Sequence, residues 1–258
     1  MFKTIKYNLD DRVATISLNR PDNYNAFNKM MREEFLLAIK KAKNDKSVRV
    51  IVITGEGKAF CSGQDLKEVE DADFRFEQVV KEQYNPIIKR LHTTPKPIIC
   101  RLNGVAAGAG CSIALACDLI VMSEKASLIE VFVNIGLVLD TGSSYFLPRL
   151  VGSTKAFELA SMGTKVGASE ALRLNMINKA VPHEKLDEAV KEYTDFYKNA
   201  PTKAISLIKG MLKVSLNSNL KQMLDEESRC QEIAANSEDY TEGLNAFLEK
   251  RSPNFKGR

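Results

Sequence analysis

The spacing of apolar and polar positions changes rhythm along the chain. "RVATISLNR" (12–20) alternates and predicts a strand ending at Arg20-Pro21. "NKMMREEFLLAIKKAKND" (28–45) repeats its apolar residues every three or four positions. Met31, Phe35, Leu36 and Ile39 then share one side of a predicted helix. "VRVIVITG" (48–55) is an unbroken apolar run, as in a strand buried on both faces. The segment "EGKAFCSGQDLKEVED" (56–71) reads as a loop, and residues 74–92 read as helical again. "KPIICRLNG" (96–104) and "CDLIVMSE" (117–124) are two more buried strands. After about residue 142 the pattern is almost wholly helical. Residues 170–181 predict a helix running into a short strand, and 183–199, 201–215, 219–234 and 238–249 predict helices. Alternating strands and helices followed by helices alone define an α/β protein, a βα-layered core with a helical C-terminal unit. No repeat, low-complexity tract or linker separates them, so those helices are expected to pack on the core or on another subunit.

Composition narrows the classes. The 258 residues are 44% hydrophobic and 27% charged, enough for one large core or one core plus a small unit. The net charge of +4 favours an anionic ligand and is too small to argue for nucleic acid. No apolar run has the length of a membrane span, and "MFKTIKYNLDD" lacks a signal-peptide pattern. Cys61, Cys100, Cys111, Cys117 and Cys230 are odd in number and lack metal-ligand spacing. They read as reduced thiols in a cytoplasmic protein without a metal site.

One stretch stands apart. "NGVAAGAGCSIALACDL" (103–119) is built of Gly, Ala and small apolar residues, with Asp118 its single charge. It follows a strand and precedes an apolar helix. Small residues there let a ligand or another backbone approach closely, and the helix start offers N–H groups to negative charge. Tight core packing is the alternative reading. A dinucleotide fingerprint fits poorly, because "GAGCS" lacks the third glycine. A second small-residue loop, "GKAFCSGQDLKE" (57–68), also follows a buried strand.

These two loops, with "LNRPDNYNAFN", "IGLVLDTGSSYFLPRLVG" and "AFLEKRSPNFKG", resemble the enoyl-CoA hydratase/isomerase (crotonase) family over essentially the whole chain. The resemblance implies a spiral of β-β-α turns over residues 1–200 that holds an acyl-coenzyme A site. It also implies a C-terminal helical region, 201–258, that builds a homotrimer or a dimer of trimers. It implies an acyl-CoA thioester as partner, no separate cofactor since coenzyme A is part of the substrate, and no nucleic acid or membrane. The thioester enolate would be held by two backbone N–H groups, which by position belong to Ser62 and Ala109. Gly63, Gln64, Asp65, Gly108, Gly110 and Phe132 would border the substrate. Phe247 and Lys250, three apart on one face of the last helix, would approach the nucleotide end.

The acids decide the chemistry. Family hydratases use two glutamates to hold and split water, and the resemblance places these at Ser112 and Phe132, neither acidic. Asp140 instead stands where the isomerase branch carries a carboxylate, and "GLVLDTGSSYFLPRLVG" looks closest to the phenylacetate-pathway isomerase. One carboxylate suffices to move a proton between carbons. Leu139 and Phe132 would raise its pKa by desolvation. Asp140 also reads as an N-cap for the helix after it. Asp65 is expected to fix its loop rather than do chemistry. Glu130 is out of register with the second glutamate and is considered only as an auxiliary acid. His92 and His183 read as solvated loop residues. A Ser62 nucleophile lacks a base partner. The sequence therefore favours an acyl-CoA isomerase of fatty-acid or phenylacetate breakdown. An enoyl-CoA hydratase and a non-catalytic scaffold or RNA-binding member are the alternatives.

Overall fold

The unbroken apolar run at Val50–Gly55 is buried at every position, and the rest of the architecture is layered on it. The computed structural model describes residues 2–70 and 72–258. The chain opens with an antiparallel pair, β1 (Ile5–Asp10) and β2 (Val13–Leu18). Helix α1 (Lys29–Asn44) follows, its N-terminus capped by the Asn28 side chain. It buries Met31, Phe35 and Ile39, as the periodicity predicts, with Leu36 half-buried, and also Arg32, Ala38 and Ala42.

Three strand pairs then follow. β3 (Val50–Gly55) leads into β4 (Ala59–Cys61), β5 (Ile98–Leu102) into β6 (Val105–Ala107), and β7 (Leu119–Ser123) into β8 (Ser127–Ile129). Between the first and second pairs lie α2 (Phe76–Val79), a π-helical turn at Val80–Tyr84, and α3 (Asn85–Thr93). Between the second and third lies α4 (Ala109–Leu115). The first strand of each pair joins a six-stranded sheet. The second joins a sheet of four, completed by β9 (Lys165–Gly167). The pairs β3·β5, β5·β7, β4·β6 and β6·β8 are all parallel, so each turn of chain lays one strand on each sheet before its helix. This is the expected β-β-α spiral. The sequence reading treated β4 and β6 as loop. Strands of only three residues, Ala-Phe-Cys and Val-Ala-Ala, carry too little periodicity to register.

The remaining elements are α5 (Ser143–Val151), α6 (Ser153–Met162), α7 (Ala168–Arg173), β10 (Lys179–Val181), α8 (Leu186–Asn199), α9 (Thr202–Ser215), α10 (Leu220–Ala235) and α11 (Glu238–Leu248). One large core fills the space around α1, α3, α4 and the two sheets. A smaller cluster joins β3, β5 and β7 to α8. The last three helices contribute little to either. α9 has no buried residue, α10 only Cys230, and α11 only Asp239 and Ala246. No helix among the described residues is long and apolar enough to cross a membrane.

Candidate active site

The small-residue loops interlock. A Cβ on Gly63, whose φ is +96°, would lie 2.9 Å from the Ala107 carbonyl oxygen and 3.6 Å from the Ala109 nitrogen. The turn after β4 thus lies directly against the turn after β6. A Cβ on Gly110 would sit 2.3 Å from the Cys61 carbonyl oxygen. The glycine run therefore has two separate uses. Gly110 lets α4 seat on β4 and does not border the cavity, which corrects its expected substrate contact. Gly108 and Ala109 do border it. Gly108 takes φ +50° and donates its N–H to Ile129, so the following amide turns toward open space.

Which amides point there is settled by their hydrogen bonds. The Ser62 N–H donates to the Tyr24 carbonyl at 3.0 Å, so it is spent on the fold. This corrects its expected place as an oxyanion donor. The Gln64 and Ala109 N–H groups have no acceptor among the described residues, and both residues line the cavity. The donor on the first loop is therefore two residues later than the sequence reading placed it. Composition cannot tell which of three consecutive amides in a turn faces inward. The Ser62 hydroxyl only approaches the Asn23 carbonyl, at 3.5 Å, and has no base beside it. Burial pushes the neighbouring Cys61 thiol up to about 12, so no nucleophile sits at the hole.

The cavity beside these amides holds about 180 Å³. Its walls are Leu66, Phe74, Phe76, Val79, Val80, Tyr84, Val131, Phe132, Ile135 and Leu137, with Ser62, Gln64, Asn134 and Asp140 as its side-chain polar groups. Asp140 is half-buried, and desolvation raises its pKa, opposed by a hydrogen bond from the Thr141 hydroxyl at 2.6 Å. Phe132 and Leu137 line the cavity with Asp140, whereas Leu139, expected as an apolar flank, is not a cavity wall. Nor is Asp140 the N-cap of α5. That position belongs to Gly142, and the Asp140 side chain makes no capping bond. Its backbone carbonyl accepts the Ser143 N–H at 2.9 Å, which fixes the turn. Asp140 thus lacks the structural duty that would otherwise account for it.

Glu130 is more deeply placed than the sequence suggested. It is 3% exposed, accepts a hydrogen bond from Ser143 Oγ at 2.8 Å, and has no partner for Oε2 among the described residues. Burial foremost, and the Asp140 charge after it, raise its pKa to about 7 against the Ser143 and Cys111 hydrogen bonds. Asp65 keeps its expected structural role. It caps the short 66–68 turn, pairs with Arg20 at 2.8 Å and does not line the cavity, which corrects its expected place bordering the substrate.

One network escaped the sequence reading. Buried Arg32 donates to the Phe27 carbonyl, Gln83, Glu68 and Gln64 Oε1. Tyr84 Oη also donates to Gln64 Oε1, at 2.7 Å. The π-helical turn ends on this tyrosine, and such turns often mark functional sites. The Gln64 side chain is thereby anchored in protein while its amide faces the cavity. An arginine inside an apolar helix stripe was the available signal.

The last helix departs from expectation. Phe247 is 81% exposed, α11 ends at Leu248, and Lys250 lies beyond it with φ +55°. The two do not share a helix face, and neither reaches the cavity. His92 is not in a loop: it sits on α3, half-buried against Tyr145 and Phe146. His183 is exposed, 3.1 Å from Ser123 Oγ, beside a broader groove of about 490 Å³ under α8. Neither Gln64 nor Ala109 lines that groove.

Comparison with known proteins places this geometry. Residues 8–258 match the family model described as enoyl-CoA hydratase/isomerase. A Rhodobacter capsulatus protein named "Probable enoyl-CoA hydratase" is 37% identical over 100% of this chain and 99% of its own. The Escherichia coli 1,2-epoxyphenylacetyl-CoA isomerase is 35% identical over the whole of both chains, with 100% of each covered. The crystal structure of a Bacillus anthracis enoyl-CoA hydratase superposes with a TM-score of 0.93 at 31% identity, over 99% of this chain and 100% of that one.

Proposed function

The chain belongs to the enoyl-CoA hydratase/isomerase family, and on that premise we propose that it is an acyl-CoA isomerase working through a thioester enolate. The Gln64 and Ala109 amides receive the thioester carbonyl oxygen. Charge developing there meets two donors already free of protein partners, with no reorganisation. Asp140 removes a proton from one carbon of the acyl group and returns it to another, or to the oxygen of an opening ring epoxide. The apolar wall keeps water from the enolate.

The observation that carries this reading is that, among the described residues, Asp140 is the single carboxylate lining the cavity. Hydration needs water held between two acids, and the positions the resemblance assigns to them carry Ser112 and the Phe132 ring. Hydration is the second reading, favoured by the name of the Rhodobacter capsulatus relative. The protein works as a trimer or a dimer of trimers, a reading supported by the thinly buried C-terminal helices. A panel of crotonyl, 3-enoyl, dienoyl and epoxyphenylacetyl thioesters separates the chemistries. Double-bond or ring isomers are the expected products. Predominant 3-hydroxyacyl product from crotonyl-CoA would give the hydratase reading.

A further inference from the structure

The reaction proposed above leaves one buried titratable group unused. Glu130 precedes the turn at 131–135, and its Oε1 is joined through two hydroxyls to the peptide that forms half of the oxyanion hole. Ser143 Oγ lies 2.8 Å from Glu130 Oε1, and Ser112 Oγ lies 2.7 Å from Ser143 Oγ. Ser112 Oγ also lies 3.1 Å from the Gly108 carbonyl oxygen and 3.4 Å from that of Asp140. All three side chains are at most 3% exposed. The Gly108 carbonyl belongs to the same peptide unit as the Ala109 N–H.

We infer that Glu130 is a positioning residue, whose protonation state sets, through Ser143 and Ser112, how strongly the Gly108–Ala109 peptide donates to the thioester oxygen. Each serine has one hydroxyl proton, so the chain can run in only one direction at a time. When Glu130 is ionised it accepts from Ser143, and Ser143 must then accept from Ser112. The Ser112 proton points away from Gly108, whose carbonyl keeps only the helical N–H of Ser112 at 3.0 Å. When Glu130 is neutral it donates from Oε1 to Ser143. Ser143 then donates to Ser112, and Ser112 donates to the Gly108 carbonyl. A second donor on that carbonyl polarises the peptide and strengthens its N–H. Neutralising Glu130 also removes a negative charge from behind the developing oxyanion. Both effects favour the enolate on the acidic side of the Glu130 titration.

Two titratable groups act on Glu130: the Cys111 thiol of α4 and the Asp140 carboxylate of the loop before α5. The first is held neutral, since burial raises its pKa well above the ordinary thiol value. The second is a carboxylate whose charge acts on Glu130, so the test removes it.

The inference rests on the enolate reading, and the test separates the two. The probe is 4-(dimethylamino)cinnamoyl-CoA, whose absorption band moves to the red when its thioester carbonyl is polarised. It is bound at saturation to the Asp140→Asn protein between pH 5.5 and 8.5. The expected red shift is ~10–30% larger at the acidic end, the scale of one cooperative hydrogen bond. Adding Glu130→Gln holds the larger shift at every pH. Adding Ser112→Ala instead removes most of the pH dependence while Glu130 is still present. A shift that does not vary with pH, or a variation surviving Ser112→Ala in full, overturns the relay and leaves the oxyanion hole standing. A probe that fails to bind, or binds with its band unmoved, overturns the proposed function itself.

Discussion

Asp140 lines one cavity with Phe132 and Leu137, and Thr141 donates a hydrogen bond to its carboxylate. Burial raises its pKa and the Thr141 hydroxyl opposes the rise, so the two effects can be separated. The base must be ionised to take a proton. Activity is therefore expected to fall as pH drops through that raised pKa. Thr141→Val keeps the shape and removes the bond that favours the charged form. The acidic limb of the kcat/KM profile is expected to move to higher pH, and a limb that stays in place would separate Asp140 from it. Glu130 gives a stability prediction of definite sign. Its pKa rises from 4.5 to about 7 on folding, so the folded chain keeps a proton that the unfolded chain has released. Stability from this residue is fully present below about pH 4.5 and is lost as pH rises toward 7, a change on the order of 3 kcal/mol. Glu130→Gln is expected to flatten that part of the melting-temperature profile and to be the more stable protein at pH 8. At this scale the sequence displayed Asp140 and Ala109 but misplaced the other donor. Residue types and spacing cannot reveal that the Ser62 amide is taken by Tyr24.

The glycines of the two loops act through the elements they join. Gly110 brings α4 onto β4 so closely that a methyl group there would overlap the Cys61 carbonyl, a backbone atom that no side-chain rotation can move aside. Gly110→Ala is expected to cost about 1–3 kcal/mol, near 2–4 °C in Tm for each kcal/mol in a chain of this size. Calorimetry checks it, and an unaltered Tm with weakened acyl-CoA binding would return Gly110 to the substrate site. Arg32 links α1 to Gln64, Glu68 and the turn bearing Tyr84. Arg32→Met removes one of the donors to Gln64 Oε1 and to the Phe27 carbonyl, and takes the cationic partner from Glu68. A loss of 3–5 kcal/mol is typical on breaking a buried ion pair, less here because Glu68 is partly exposed. The urea midpoint is expected to fall, and turnover with it, as Gln64 keeps only the Tyr84 hydroxyl on its Oε1. The long strands and helices were legible because burial imposes period two, period 3.6 or an unbroken apolar run. β4 and β6 were not, because three residues are too few to show a period.

At the scale of the molecule, apolar surface is concentrated on the helices after residue 200. Ile208, Leu212, Leu216, Leu220, Leu224, Leu244, Phe247 and Leu248 are all exposed in one chain. Such a surface is expected to be covered by further copies. Light scattering at micromolar concentration should give a trimer or hexamer, and a stable monomer would leave these side chains unexplained. The order of elements and the helical C-terminal region were readable from alternating patterns along the chain, and the two-sheet spiral came from the family resemblance. Where the last helix points was not readable, because it buries only Asp239 and Ala246 and so leaves little pattern to read. The central claim is that one carboxylate, Asp140, moves the proton of a thioester enolate held by the Gln64 and Ala109 amides. Its most direct test follows 3-enoyl-CoA in D₂O by mass spectrometry with the native protein and Asp140→Asn. The account requires the 2-enoyl isomer as product, with turnover lowered by ~10²–10⁴ in the variant while folding and thioester binding persist. Near-native isomerisation by Asp140→Asn, or 3-hydroxyacyl-CoA as the main native product, would contradict it.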